Sequence, residues 1–267
     1  MSTLETPHGS IDVKESSGSG AAVLLIHGNS ACKEVFDLQL DGALGNRYRM
    51  IAFDLPGHGA SSDAPEPERS YHMAAYADAA MMVLEHLGVR RCAIVGWSLG
   101  GHIGIELLTR DLDVAGLLIT GTPPIGSDLT DMAAAFLPSP HMESTGKELL
   151  SDAEALAYAD ETTGVAEEFI RRAVRRTDGR ARRIMIEAVA FGRHADQREL
   201  VETSPVPLAV VTGAEEPFVN NAYLASLDYA NLWENQIHVL ANSGHAPFRD
   251  AREAFDPLLA RFLAAVL

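Results

Sequence analysis

The run Gly96-Trp97-Ser98-Leu99-Gly100 sets a serine between two glycines at G-x-S-x-G spacing, directly after an apolar, strand-like run. A serine hydroxyl is a weak nucleophile until a sharp turn exposes it and a base removes its proton. In such a turn the serine takes a strained backbone conformation. The residues two before and two after it meet other backbone so closely that they must be small. Ser98 is therefore the candidate nucleophile, and the N–H of Leu99 is a candidate donor to an oxyanion. His27-Gly28-Asn29-Ser30 follows an earlier strand-like run in the same way, and the N–H of Asn29 is the second candidate donor. A base must then reach the serine. His245, in Asn242-Ser243-Gly244-His245-Ala246-Pro247-Phe248, lies after the last strand and before the last helix, in a loop that can return over such a turn. An imidazole titrates near ~6.5 and so serves as a base near neutrality. A carboxylate must hold its tautomer and stabilise its charged form. Glu215 and Glu216, in the loop that follows Gly213, and Asp128, after the preceding core strand, are the candidates.

Other histidines and acids read as structural. Asp54, in Asp54-Leu55-Pro56-Gly57-His58-Gly59, reads as the anchor of a turn, and His27, His58 and His102 as packing residues. No HxH, HxHxDH or HExxH run occurs, and no Walker-type or GxGxxG run follows a strand, so neither a metal nor a nucleotide cofactor is expected.

The elements that must position these residues alternate between short β-rich runs and helical stretches, the pattern of a mostly parallel sheet covered on both faces. Runs at 22–26, 50–53, 92–95, 116–120, 208–212 and 236–240 read as strands, several of them apolar at consecutive positions, as strands buried on both faces require. Residues 11–15 alternate instead and fit an antiparallel edge after a turn at His8-Gly9. Helical periodicity appears at 71–87, stopped by Gly88, at 98–110 and at 255–266. Between 123 and 204 no strand is expected, and helices are expected at 166–176 and 180–191. Prolines 123, 124, 138 and 140 gather at its start and prolines 205 and 207 at its end. The expectation is an α/β core made of residues 1–122 and 205–267, interrupted by a helical cap at 123–204.

Composition narrows the partners. With 37 acidic against 21 basic residues the net charge is −16, which repels nucleic-acid backbones and anionic lipid surfaces. The longest apolar runs are strand-sized, no basic leader precedes an apolar stretch, and Cys32 and Cys92 form no CxxC pair. A cytoplasmic protein with two reduced thiols and without nucleic-acid or membrane partners is the expectation.

Taken in order, HGN at 27–29, DLPGHG at 54–59, GWSLGG at 96–101 and SGHAPF at 243–248 resemble the α/β-hydrolases over nearly the whole chain. Further runs resemble the metal-independent N-acyl-homoserine lactone lactonases of that fold: GWSLGGHIGIE at 96–106, ITGTPP at 119–124, RTDGRARRIM at 176–185, EPFV at 216–219 and NLWE at 231–234. The resemblance implies an α/β-hydrolase core with a helical cap and selects Glu216, three residues past the strand-ending glycine, as the acid of a Ser98–His245–Glu216 triad. It implies Asn29 and Leu99 as oxyanion donors, Gly28, Trp97, Tyr158 and Phe136 around the substrate, and no cofactor. Met132, Phe136 and Leu137 would wall the acyl tail. The activity implied is opening of an acyl lactone ring. A carboxylesterase, a carbon–carbon-bond hydrolase or a slow-turnover receptor of the same fold are the alternatives.

Overall fold

The computed structural model describes residues 2–126, 129–139, 142–164 and 167–267. Eight strands form one sheet in the order β1-β2-β4-β3-β5-β6-β7-β8. They are β1 (Ser2–Thr6), β2 (Gly9–Glu15), β3 (Ala22–Ile26), β4 (Arg49–Phe53), β5 (Arg91–Trp97), β6 (Asp113–Thr120), β7 (Leu208–Gly213) and β8 (His238–Leu240). β1 and β2 pair antiparallel and β2 meets β4 antiparallel, while every pairing from β4 to β8 is parallel. Residues 11–15 thus form the antiparallel member that their alternation predicts. β1 is an addition. Its sequence Ser-Thr-Leu-Glu-Thr has one apolar residue, so it carries no hydrophobic signal and depends on its ladder with β2. β8 starts at His238, not at 236, because the short 3-10 turn Trp233–Asn235 leads into it.

The principal helices are α1 (Met73–His86), α2 (Leu99–Leu107), α3 (Leu129–Ala135), α4 (Asp152–Thr163), α5 (Glu168–Arg176), α6 (Gly179–Ala190), α7 (Gln197–Thr203) and α8 (Arg252–Val266). Alternate side chains of the parallel strands enter two separate cores. Leu24, Ile26, Ile51, Phe53, Ile94 and Ile119 join the packing under α1 and α2. Val23, Leu25, Met50, Val95, Leu118 and Val211 pack with Phe255, Leu259 and Phe262 of α8. Two-sided burial is what makes these strands apolar at consecutive positions. α3 to α7 all lie between β6 and β7. α4 opens on a capping box in which Ser151 and Glu154 satisfy each other's backbone donors, and α6 and α7 are capped by Asp178 and Asp196. Among the described residues no helix is long and apolar enough to cross a membrane.

β3 is flanked by β4 on one side and β5 on the other. The chain thus reverses its direction of travel across the sheet at β3, and the loops after β3 and β5 diverge from one crevice at the carboxyl ends of the strands. Open α/β sheets bind their ligands at such a point.

Candidate active site

Ser98 stands between β5 and α2 with φ +54° and ψ −120°, a left-handed conformation that a serine adopts only under constraint. The turn explains its glycines. A Cβ on Gly96 would collide with the backbone of Gly100 and Gly101, and one on Gly100 would strike the carbonyl of Ile26. The turn is fixed from below as well. Ser98 N–H donates to Thr120 O at 2.9 Å, and Thr122 Oγ1 donates to Ser98 O at 2.8 Å.

His245 Nδ1 lies 2.9 and 3.0 Å from the two carboxylate oxygens of Glu216, and both side chains are buried. Glu216 Oε1 also accepts the N–H groups of Phe218 and Val219 at 3.0 and 3.3 Å. The carboxylate is thus oriented by backbone and offers the imidazole an acceptor, which places the ring proton on Nδ1 and leaves Nε2 as a base. Glu215 is exposed and does not reach the histidine, and Asp128 lies outside the described residues. The loop that carries His245 is tied down by Asp250, which accepts from Ser243 Oγ at 2.6 Å and from Gly244 N–H at 2.8 Å.

Ser98 and His245 line one cavity of about 570 Å³ together with Asn29 and Leu99. No direct hydrogen bond joins the serine hydroxyl to the imidazole in this state, a contact that commonly tightens only with substrate bound. The N–H groups of Asn29 and Leu99 have no backbone partner among the described residues, and Leu99 is the first residue of α2, where an unpaired N–H is inherent. Most of the cavity surface is apolar, with Met73, Ile125, Met132, Phe136, Met185, Val189 and Phe218 in its walls. Tyr158, on α4, is buried and faces the same space.

Three expected wall residues lie elsewhere. Trp97 is fully buried behind the site, where its indole N–H donates to the carbonyl of His245 at 2.9 Å; it holds the histidine loop and does not meet the cavity. Gly28 packs its backbone against Ser98 and the Trp97 ring, so its smallness serves the approach of two turns and not a ligand. Leu137 is 36% exposed and lies outside the lining, because the chain there turns away to pair with Phe218. Thr122, Thr145 and Asp250 carry no signal in the sequence. Thr122 and Asp250 hold the turns of Ser98 and His245, and Thr145 O accepts from Asn29 Nδ2 at 2.9 Å; such single contacts leave no periodic trace.

The remaining polar residues behave as structural groups. His27 Nδ1 faces the carbonyl of Gly28 at 2.7 Å and Nε2 accepts the N–H of Leu55 at 3.0 Å. Burial lowers the pKa of His27 and pushes that of His58 down to about 3. Asp54 accepts from Lys33 N–H and Nζ, both at 2.7 Å, and from Ala60 N–H at 2.8 Å. His102 does line the cavity, but its Nδ1 is paired with Gln197 Oε1 at 2.6 Å and burial takes its pKa down to about 4. Among the described residues no three His, Cys, Asp or Glu side chains converge as metal ligands.

Residues 23–257 match the family model of the alpha/beta hydrolase family. The chain belongs to the α/β hydrolase family. Within this family it is similar in structure to the N-acyl homoserine lactonase AidH complexed with N-butanoyl homoserine, at 47% identity and a TM-score of 0.95, over 98% of this chain and 95% of that one. It is equally similar to a serine-to-glycine mutant of AidH complexed with N-hexanoyl homoserine lactone, at 46% identity and a TM-score of 0.95, over 98% and 96% of the two chains. A more distant relative is the 2-hydroxy-6-oxononadienedioate/2-hydroxy-6-oxononatrienedioate hydrolase of a Pseudomonas species, 24% identical over 96% of this chain and 93% of that protein.

Proposed function

We propose that this hydrolase opens the ring of N-acyl homoserine lactones through a serine acyl-enzyme. The observation that carries the reading is the full-length likeness to an acyl homoserine lactonase, which extends through the helices between β6 and β7 that face the substrate. Residues 123–204 are then the substrate-facing cap on a core of residues 1–122 and 205–267.

In the proposed reaction His245 Nε2 takes the proton of Ser98 Oγ, and Oγ adds to the lactone carbonyl carbon. The developing oxyanion accepts hydrogen bonds from the N–H groups of Asn29 and Leu99. As the tetrahedral species collapses, the ring C–O bond breaks and the departing oxygen takes the proton from His245. The alcohol so formed stays tethered to the acyl group. Water then adds to the acyl-enzyme with His245 again as base, and N-acyl homoserine leaves as Ser98 recovers its proton. Tyr158, Phe136 and Met132 line the cavity; in this reading the phenol bonds the lactone and the other two supply apolar surface for the tail. Each methylene of that tail buried there contributes up to about 0.8 kcal/mol.

The distant relative acts on a dicarboxylate, and such a substrate needs cations near its charges. The described lining of this cavity holds no Lys or Arg. An uncharged acyl lactone fits it better.

The test is a panel of N-acyl homoserine lactones from butanoyl to decanoyl alongside p-nitrophenyl esters, with products identified by mass and Ser98→Ala as control. The lactones are expected to be turned over with kcat/KM at least about tenfold above the aryl esters, and Ser98→Ala to lose kcat by roughly 10⁶ while staying folded. Aryl esters preferred over every lactone would overturn the substrate assignment, and substantial turnover by Ser98→Ala the nucleophile.

A further inference from the structure

Arg182, on α6, is only 4% exposed, and among the described residues no carboxylate pairs with it. Asp178 and Glu148 act on its charge only at longer range. A buried guanidinium costs several kcal/mol of desolvation, and an apolar side chain of like volume would pack as well. What offsets the cost is a set of converging oxygens. Nε donates to Lys147 O at 2.8 Å and Nη2 to Glu148 O at 3.1 Å, while Nη1 lies 3.3 Å from both Val174 O and Ser30 Oγ. Three of these acceptors belong to the chain between β6 and β7. The fourth belongs to the turn after β3.

That fourth contact falls at a strained position. Ser30 has φ +57°, one of five non-glycine residues with positive φ among those described, and it directly follows the candidate oxyanion donor Asn29. A serine keeps such a conformation only where its surroundings impose it. The Asn29 side chain is held from the same direction, its Nδ2 donating to Thr145 O at 2.9 Å. The side chains of both residues of the turn are therefore anchored to the segment that covers the cavity, one of them through a rigid planar fork.

We propose that Arg182 is a positioning residue for the oxyanion turn: by gripping Ser30 from the cap it fixes the direction of the Asn29 N–H, so that the cap sets transition-state stabilisation as well as substrate fit. The inference rests on the role given to Asn29 in the proposed reaction. It does not depend on which ester or lactone is the substrate, because an oxyanion forms in each.

The test compares Arg182→Met, Arg182→Lys, Ser30→Ala and the double variant Arg182→Met/Ser30→Ala. kcat and KM are measured separately with N-hexanoyl homoserine lactone and with p-nitrophenyl acetate, and folding is followed by circular dichroism melts. Arg182→Met is expected to lower kcat by roughly 10- to 100-fold with both substrates while KM stays within about threefold, the signature of an interaction made only in the transition state. Arg182→Lys should fall between it and the parent, since one ammonium cannot serve four separate oxygens. Ser30→Ala should lose less than Arg182→Met, and the double variant should be no slower than Arg182→Met alone. A folded Arg182→Met with kcat within about threefold of the parent overturns the proposal, as do single losses that multiply in the double variant. Should Arg182→Met fail to fold, Ser30→Ala and Arg182→Lys decide: parental kcat in both overturns it, and lowered kcat at unchanged KM sustains it. If aryl ester alone is hydrolysed, the lactonase reading falls while the role of Arg182 is still read on that ester.

Discussion

The bond from His245 Nδ1 to Glu216 gives this imidazole a role that the other described histidines do not share. His27 and His58 are sealed from the cavity and held neutral by burial, and His102 is paired with Gln197. Among the described histidines only His245 has a buried carboxylate on one nitrogen and the cavity that holds Ser98 on the other side. Glu216→Gln removes the charge that stabilises the imidazolium and can offer an amide N–H to Nδ1, which favours the wrong tautomer. By analogy with triads of this type, kcat is expected to fall by about 10³–10⁴ with the fold unchanged. A steady-state kcat within tenfold of the parent would remove Glu216 from the mechanism.

At the scale of elements, the site is the meeting of four turns, after β3, after β5, after β7 and after β8, held in part by side chains outside the cavity lining. Trp97 is the clearest case. Its indole N–H is the direct link from the last residue of β5 to the carbonyl of His245. Trp97→Phe keeps the aromatic packing and removes that one bond, so kcat is expected to drop about tenfold with KM unchanged and with a loss of about 1 kcal/mol in stability. Unchanged kcat would show that the loop keeps its place without this bond. These turns also mark the limit of what the sequence discloses. The strands buried on both faces announce themselves as apolar runs, and the candidate nucleophile and base stand out by their places after strands, whereas the residues alone leave the acid open among Glu215, Glu216 and Asp128 and only the resemblance selects Glu216. Trp97 and Gly28 lie beside those motifs and read naturally as ligand contacts. Their inward orientation depends on how two loops cross, which no local pattern encodes. β1 is silent for a simpler reason, since an exposed edge strand has no hydrophobic face to display. Of the described helices between β6 and β7, α5 and α6 are placed by periodicity while α3, α4 and α7 are not, and which residues face the cavity is decided by docking on the core, so Met132 and Phe136 line it and Leu137 does not.

For the whole molecule, buried neutral histidines contribute to the response to acid. His58 and His102, with pKa values pushed down to about 3 and about 4, stay neutral in the folded chain, whereas an unfolded chain binds protons below about 6.5. The unfolded state therefore carries more protons between about 6.5 and those values. Their contribution is whole above 6.5 and is lost as pH falls through that window. The urea midpoint is expected to be lower at pH 5.0 than at pH 7.5, and His58→Asn to narrow the difference. An equal pH dependence in the variant would assign the acid response to other groups.

The covering helices leave the core at the end of β6 and return at the start of β7, and these two strands are hydrogen-bonded neighbours, Leu117 facing Leu208 and Thr120 facing Val211. Because the two strands run parallel, the end of β6 and the start of β7 lie at opposite ends of the pair, and the chain between them makes a crossover. A replacement that keeps this crossover would leave the register of β6 and β7 unchanged and reshape only the pocket. A graft that brings no counterpart to the Arg182 grip would inherit a pocket and lose speed.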